Sequence, residues 1–198
     1  MESARAHSWG MGMQKTPWLV ALLLWLGPAL AQPVDRQALQ LCKRPFEEYV
    51  RIVVAACANW GGRADDPDII EAARAVLIRA GVLSAADFAG VDISWCPLGP
   101  GAWGMTPAKD HILLNPILKS DMALLARNLG HEMFHVGQYR RWGSDEFQCR
   151  YSKELLRTQS TGRDNAVEAG AYAFADNIGP AIDRVLKSGT GKLPSPNR

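Results

Sequence analysis

Leu129-Gly130-His131-Glu132-Met133-Phe134-His135 is the stretch on which the reading of this chain turns. Apolar residues recur at helical spacing through Met122-Ala123-Leu124-Leu125-Ala126 just before it, so the motif falls inside a helix. Ser120-Asp121 offers the cap of that helix, which is expected to run to about Trp142. Four residues advance a helix by slightly more than one turn, so His131 and His135 stack on one face. Two imidazoles so placed can grip one zinc ion, with Glu132 beside the water on that metal. Zinc brings the pKa of such a water towards ~7, where a neighbouring carboxylate can take its proton. Beyond residue 31 the chain has only three histidines, and two of them lie in this motif.

A catalytic zinc takes three protein ligands and keeps a fourth position for water. No histidine follows His135, and Gln138 and Arg141 stand where the longer metzincin motif needs Gly and His. The third ligand is then a downstream carboxylate: Asp145, Glu146, Glu154, Asp164 or Glu168. The first two fall just past the expected helix end, too remote from its middle. Glu168 is preferred, because Asn165-Ala166-Val167-Glu168-Ala169-Gly170-Ala171-Tyr172 reads as a helix whose other face is small and can pack closely. The implied content is one zinc per chain. A partner for a developing oxyanion is open among Tyr139, Tyr151, Tyr172 and His111. Trp95 and Trp103 flank a Gly-rich segment and can line either a cleft or the core.

Working outward, the pattern is helical over 36–58, with Pro45 in a first turn, and again over 68–80. Residues 59–67 read as a loop, 91–96 as a short strand and 97–109 as an irregular Gly-rich connection. Residues 111–115 give a second strand, closed by Pro116 and suited to pair with an extended peptide. Helical patterns resume over 149–157 and 165–177, Gly179-Pro180 ends the run, and 181–187 adds a short helix. The fold class is α+β: mostly helical, with a short β-sheet before the motif helix. Residues 32–90 form a helical N-terminal region packing on a core of 91–187, and 188–198 make a disordered tail.

The first 31 residues carry a basic leader, a short apolar run from Trp18 to Leu26 and Ala29-Leu30-Ala31, the marks of a secretory signal peptide. The apolar run is far below the ~20 residues of a bilayer span, so no stable membrane span is expected after cleavage. The expected location is outside the cytoplasm, periplasmic or extracellular. All four cysteines, Cys42, Cys57, Cys96 and Cys149, lie beyond the cut, and an even number in an exported chain implies two disulfides. A helix from Pro45 to Ala58 would put Cys57 roughly 18 Å from its start, which disfavours Cys42–Cys57 and leaves the other pairings open. The 198 residues are 47% apolar and 21% charged with a net charge of +2, so the chain can bury a core. That near balance argues against a nucleic-acid partner. A peptide or protein substrate is the expected partner.

The segment from about 88 to 178 resembles the bacterial zincin-like His-Glu-x-x-His domains of unknown function. Some members of that group accompany extracellular contractile injection systems and toxins. The resemblance is carried by the strand 111–115, the run from Leu129 to Gly143, Phe147 and Tyr151, and the stretch from Asn165 to Tyr172. It implies a small gluzincin-type metallopeptidase domain in which His131, His135 and Glu168 are zinc ligands and Glu132 is the general base. One position departs: the gluzincin pattern has an acid four residues after the ligand Glu, and here that position is Tyr172. The expectation is an exported zinc metallopeptidase. The alternative is a zinc-stabilised, non-catalytic interaction module associated with a secreted toxin or surface assembly.

Overall fold

A computed structural model of the chain describes residues 36–57, 66–99 and 101–189. The expected signal peptide, most of the loop 59–67 and the tail beyond 189 lie outside the described residues. The elements are α1 (Arg36–Val53), α2 (Pro67–Arg79), β1 (Asp92–Trp95), β2 (Gly104–Ala108), β3 (His111–Leu114), a 3-10 turn (Pro116–Ser120), α3 (Met122–Trp142), α4 (Ser144–Thr158) and α5 (Ala166–Lys187). The architecture is α+β, helices dominating over one small sheet.

Helix α3 is the centre of the molecule. Its first turn is closed by Asp121, whose carboxylate accepts the Leu124 N–H at 3.0 Å. Leu125, Ala126, Leu129, Val136 and Tyr139 along it are fully enclosed. The first four meet Val76 and Leu77 of α2, Ile93, Ile112 and Leu114 of the sheet, and Ile178 and Ile182 of α5 in one core, while Tyr139 packs with Phe46, Phe147, Tyr151 and Val167 in a second. A helix so enclosed holds its side chains in fixed rotamers, which a metal or catalytic site on it requires.

The sheet order is β1-β3-β2, with β1 parallel and β2 antiparallel to β3. Two expectations are corrected here. The strand 111–115 is not a free edge: β3 is paired on both sides, with Ile112 opposite Ile93 and Leu113 opposite Met105. The segment 97–109 is not wholly irregular, because it contains β2, which ends the sheet. Gly104, Pro107 and a register shift between Met105 and Ala108 hide the alternation by which a strand is read.

Three helices also differ from expectation: α1 ends at Val53 rather than 58 and carries Pro45 in its interior, not in a first turn. Gly179-Pro180 does not stop α5, which runs on to Lys187. Pro180 deprives the Asp176 carbonyl of a donor, but both residues are on the exposed face, where water supplies one. Helix α4 begins at Ser144, earlier than expected, so Asp145 and Glu146 occupy its first turn, where a helix favours negative charge.

Cys42 pairs with Cys149 and Cys57 with Cys96, with Cα separations of 5.1 and 5.2 Å. The disfavoured Cys42–Cys57 pair is absent. The first bridge ties α1 to α4, and the second ties the chain just past α1 to the residue after β1. Between α1 and α4, Ser152 Oγ accepts the Phe46 N–H at 3.0 Å and Lys43 pairs with Asp145 at 2.8 Å. Disulfides form and persist in oxidising surroundings. Among the described residues, no helix is long and apolar enough to cross a membrane.

Candidate metal centre

One helical turn separates His131 from His135 on α3, and their Nε2 atoms lie 3.2 Å apart. Helix α5 brings Glu168 to them. Its Asn165 cap accepts the Val167 N–H at 2.9 Å, and small residues allow the close approach. At Gly130 a Cβ would meet Ile178 Cδ1 at 2.4 Å, and at Gly170 one would meet the Phe134 ring at 3.0 Å. Glu168 Oε2 then stands 3.1 Å from His131 Nε2 and 3.3 Å from His135 Nε2.

The donor set fits a metal ion. Ligand bonds of ~2.0–2.1 Å in a tetrahedron place neighbouring donors roughly 3.3 Å apart, and these three atoms have that spacing. Two imidazole nitrogens and one carboxylate oxygen converging on a point present lone pairs to a cation. Gln138 sets the tautomer. Its amide N–H donates to the Val167 carbonyl at 3.0 Å, which turns its Oε1 towards His135 Nδ1 at 2.7 Å. The Nδ1 proton is engaged there and Nε2 is left as the donor atom.

Glu132, next along α3, is 4% exposed and projects beside the three donors without joining them. Thr106 of β2 holds it: the hydroxyl lies 2.8 Å from Glu132 Oε2 and 3.2 Å from the Glu132 carbonyl. Burial, aided by the nearby Glu168, raises the Glu132 pKa above the usual carboxylate value, against the pull of His131, His135 and Thr106. Burial also disfavours charge on His135, but the two carboxylates outweigh it and lift its pKa to about 9. Glu168 shows the complement. Burial works against its ionisation, yet His131 and His135 hold its carboxyl well below the usual range.

Tyr151 of α4 completes the cluster. Its hydroxyl donates to Glu168 Oε1 at 2.5 Å, the oxygen turned away from the histidines. A cavity of about 450 Å³ opens over the group, walled by Phe46, Tyr49 and Val53 of α1, Trp103 to Thr106 around β2, Asn128, and Tyr172.

His131, Glu132, His135 and Glu168 are thus brought together, and Tyr172 lies beside them with its ring centroid 4.7 Å from that of His131. Where the resemblance led an orienting acid to be expected, Tyr172 makes an edge-to-face ring contact with His131. Tyr139 and His111 are elsewhere. Tyr139 is fully buried, donates to the Pro107 carbonyl at 3.3 Å and stacks on Phe147. His111 opens β3 beside Asp92, 3.6 Å away. Trp95 is core, while Trp103 is half-exposed at the cavity wall. Sequence reasoning missed Thr106 and the roles of Gln138 and Tyr151. Gln138 could have been found, because it lies three residues after His135 on the same helical face. No family model, curated protein or solved structure matches the chain.

Proposed function

We propose that the chain is an exported zinc-dependent metallopeptidase. One observation carries the reading: His131 Nε2, His135 Nε2 and Glu168 Oε2 converge within an open cavity, with a buried carboxylate, Glu132, beside them. Zinc is favoured because two imidazoles and one carboxylate are its usual hydrolytic ligands. When bound it supplies Lewis acidity, which makes water acidic near neutral pH. His131, His135 and Glu168 would hold it, Gln138 and the Tyr172 ring orienting the two histidines.

Glu132 acts as general base. It takes the proton of the attacking water and passes it to the leaving amine nitrogen. Its raised pKa suits both halves of that exchange, and Thr106 fixes the carboxylate so that one oxygen remains free for it. The edge strand β2 runs along the cavity and presents backbone groups to which an extended peptide can pair, the role that the sequence had suggested for β3. The two disulfides and the leader-like first 31 residues support export.

The test is Glu132→Gln in the purified, zinc-loaded chain, assayed against a peptide library. Hydrolysis is expected in the parent and a loss of ~10²-fold or more in the variant, with one zinc per chain in both. A second reading, a zinc-stabilised interaction module, draws on Tyr172 standing where an orienting acid is expected. It predicts zinc in both proteins and hydrolysis in neither.

A further inference from the structure

Resting on the metal reading above, we infer that Tyr151 is a positioning residue of this centre. Its phenol engages one oxygen of Glu168, so that the carboxylate offers a metal a single oxygen and one coordination position stays free of protein.

The two oxygens of Glu168 have different surroundings. Oε2 faces the two histidine nitrogens at 3.1 and 3.3 Å, whereas Oε1 accepts the Tyr151 hydroxyl at 2.5 Å. A carboxylate can otherwise bind a metal through one oxygen or both. With both oxygens engaged, Glu168 and the two histidines would supply four protein donors and close the position that hydrolysis needs. A charge-assisted hydrogen bond to Oε1 opposes that rotation.

The phenol is itself fixed. Tyr151 is 4% exposed, with Phe46 edge-on at 5.1 Å and Tyr49 stacked at 6.1 Å between ring centroids. Two residues before it Cys149 is bridged to α1, and one residue after it Ser152 receives the Phe46 N–H. Tyr151 therefore cannot follow the carboxylate if Glu168 turns. A neutral donor also suits the place. A lysine or arginine there would have to be desolvated and would compete with the metal for the ligand's charge.

Tyr151→Phe keeps the ring and removes the hydroxyl. Cobalt(II) alone, loaded into the full chain, reports coordination number through its visible bands, which are intense for four-coordinate ions and weak for higher coordination. The parent is expected to show the intense bands. Folded Tyr151→Phe, checked by circular dichroism, is expected to show weakened bands and roughly 10-fold looser cobalt binding by chelator competition. Unchanged bands and affinity in that variant overturn the inference while leaving the metal centre standing. A parent that binds no cobalt, or binds it equally after His135→Ala, overturns both. Should Tyr151→Phe fail to fold, 4-fluorophenylalanine at position 151 replaces it. Its fluorine fills the space of the hydroxyl but donates no hydrogen bond to Oε1, and cobalt bands and affinity that match the parent would then refute the assignment.

Discussion

Gly104 is glycine because Glu132 occupies the space a side chain would need. A Cβ there would lie 2.6 Å from Glu132 Oε1 and 2.7 Å from Asn128 Oδ1. Gly104→Ala is therefore expected to displace the Glu132 carboxylate and to cut hydrolysis at least ~10-fold. The zinc content, which depends on other residues, should stay at its parental value. Steady-state kinetics beside metal analysis checks this, and loss of zinc in the variant would show that the contact acts through the fold instead. Thr106→Val removes the hydroxyl bound to Glu132 Oε2. Leaving a buried carboxylate oxygen without its donor costs about 1–3 kcal/mol, to be read by urea denaturation at pH 7. The loss should shrink in acid, where Glu132 is protonated and the missing donor matters less. Of these residues the sequence displayed only the ones set by helical spacing. His131, Glu132 and His135 lie within one and a half turns, so their joint presentation follows from local geometry alone. Thr106 is 26 residues from Glu132, on a strand that the sequence did not reveal, and nothing local links the two.

Helix α1 shows how an element far from the motif reaches the site. Phe46 and Tyr49 on one of its faces back the Tyr151 ring, and the Cys42–Cys149 bridge closes a span of 107 residues. In the chain-entropy account that bridge contributes ~5 kcal/mol, and the 39-residue Cys57–Cys96 span ~4 kcal/mol. The double variant Cys42→Ser, Cys149→Ser is expected to lose several kcal/mol by chemical denaturation. It should also bind zinc more weakly by chelator competition, because the support behind Tyr151 loosens. Unaltered zinc affinity in the folded variant would confine the bridge to stability. Helix α3, enclosed on most sides, is legible chiefly from its motif and its Asp121 cap, whereas elements with a strong period, α1 above all, could be read from residue spacing. The strand β2 could not, since Gly104 and Pro107 both argue against a strand, and only its pairing with β3 makes it one. Nor could the central place of β3, because strand order is fixed by long-range packing and not by the strand's own residues. Pro180 misled for the opposite reason: a residue that breaks a helix in isolation is tolerated on an exposed face when the α3 and α5 cores hold both sides.

At the scale of the whole molecule, the metal-free chain carries a charged cluster whose cost and benefit vary with pH. His135 has its pKa raised from an ordinary 6.5 to about 9, so the folded form holds a proton that the unfolded form releases. That contribution is complete below pH 6.5 and fades as pH rises through 9. Glu168 works the other way. Its pKa is lowered from 4.5, so its contribution is complete above that value and fades as pH falls. The metal-free chain is thus expected to be most stable between about pH 5 and 6.5, and to lose on the order of 3 kcal/mol by pH 9.5. Zinc reverses the slope. In the proposed site it would take the place of the shared proton and bind more tightly as His135 deprotonates, so the loaded chain should gain stability over the same interval. Urea denaturation at pH 6 and pH 9.5, with chelator and with stoichiometric zinc, separates the two cases. A chelated chain equally stable at both values would mean that His135 and Glu168 do not share a proton in the folded state. Parallel curves with and without zinc would mean that the metal binds elsewhere. Opposite slopes would tie the three donors into one site whose occupant, proton or metal, decides how firmly α3 and α5 are held together.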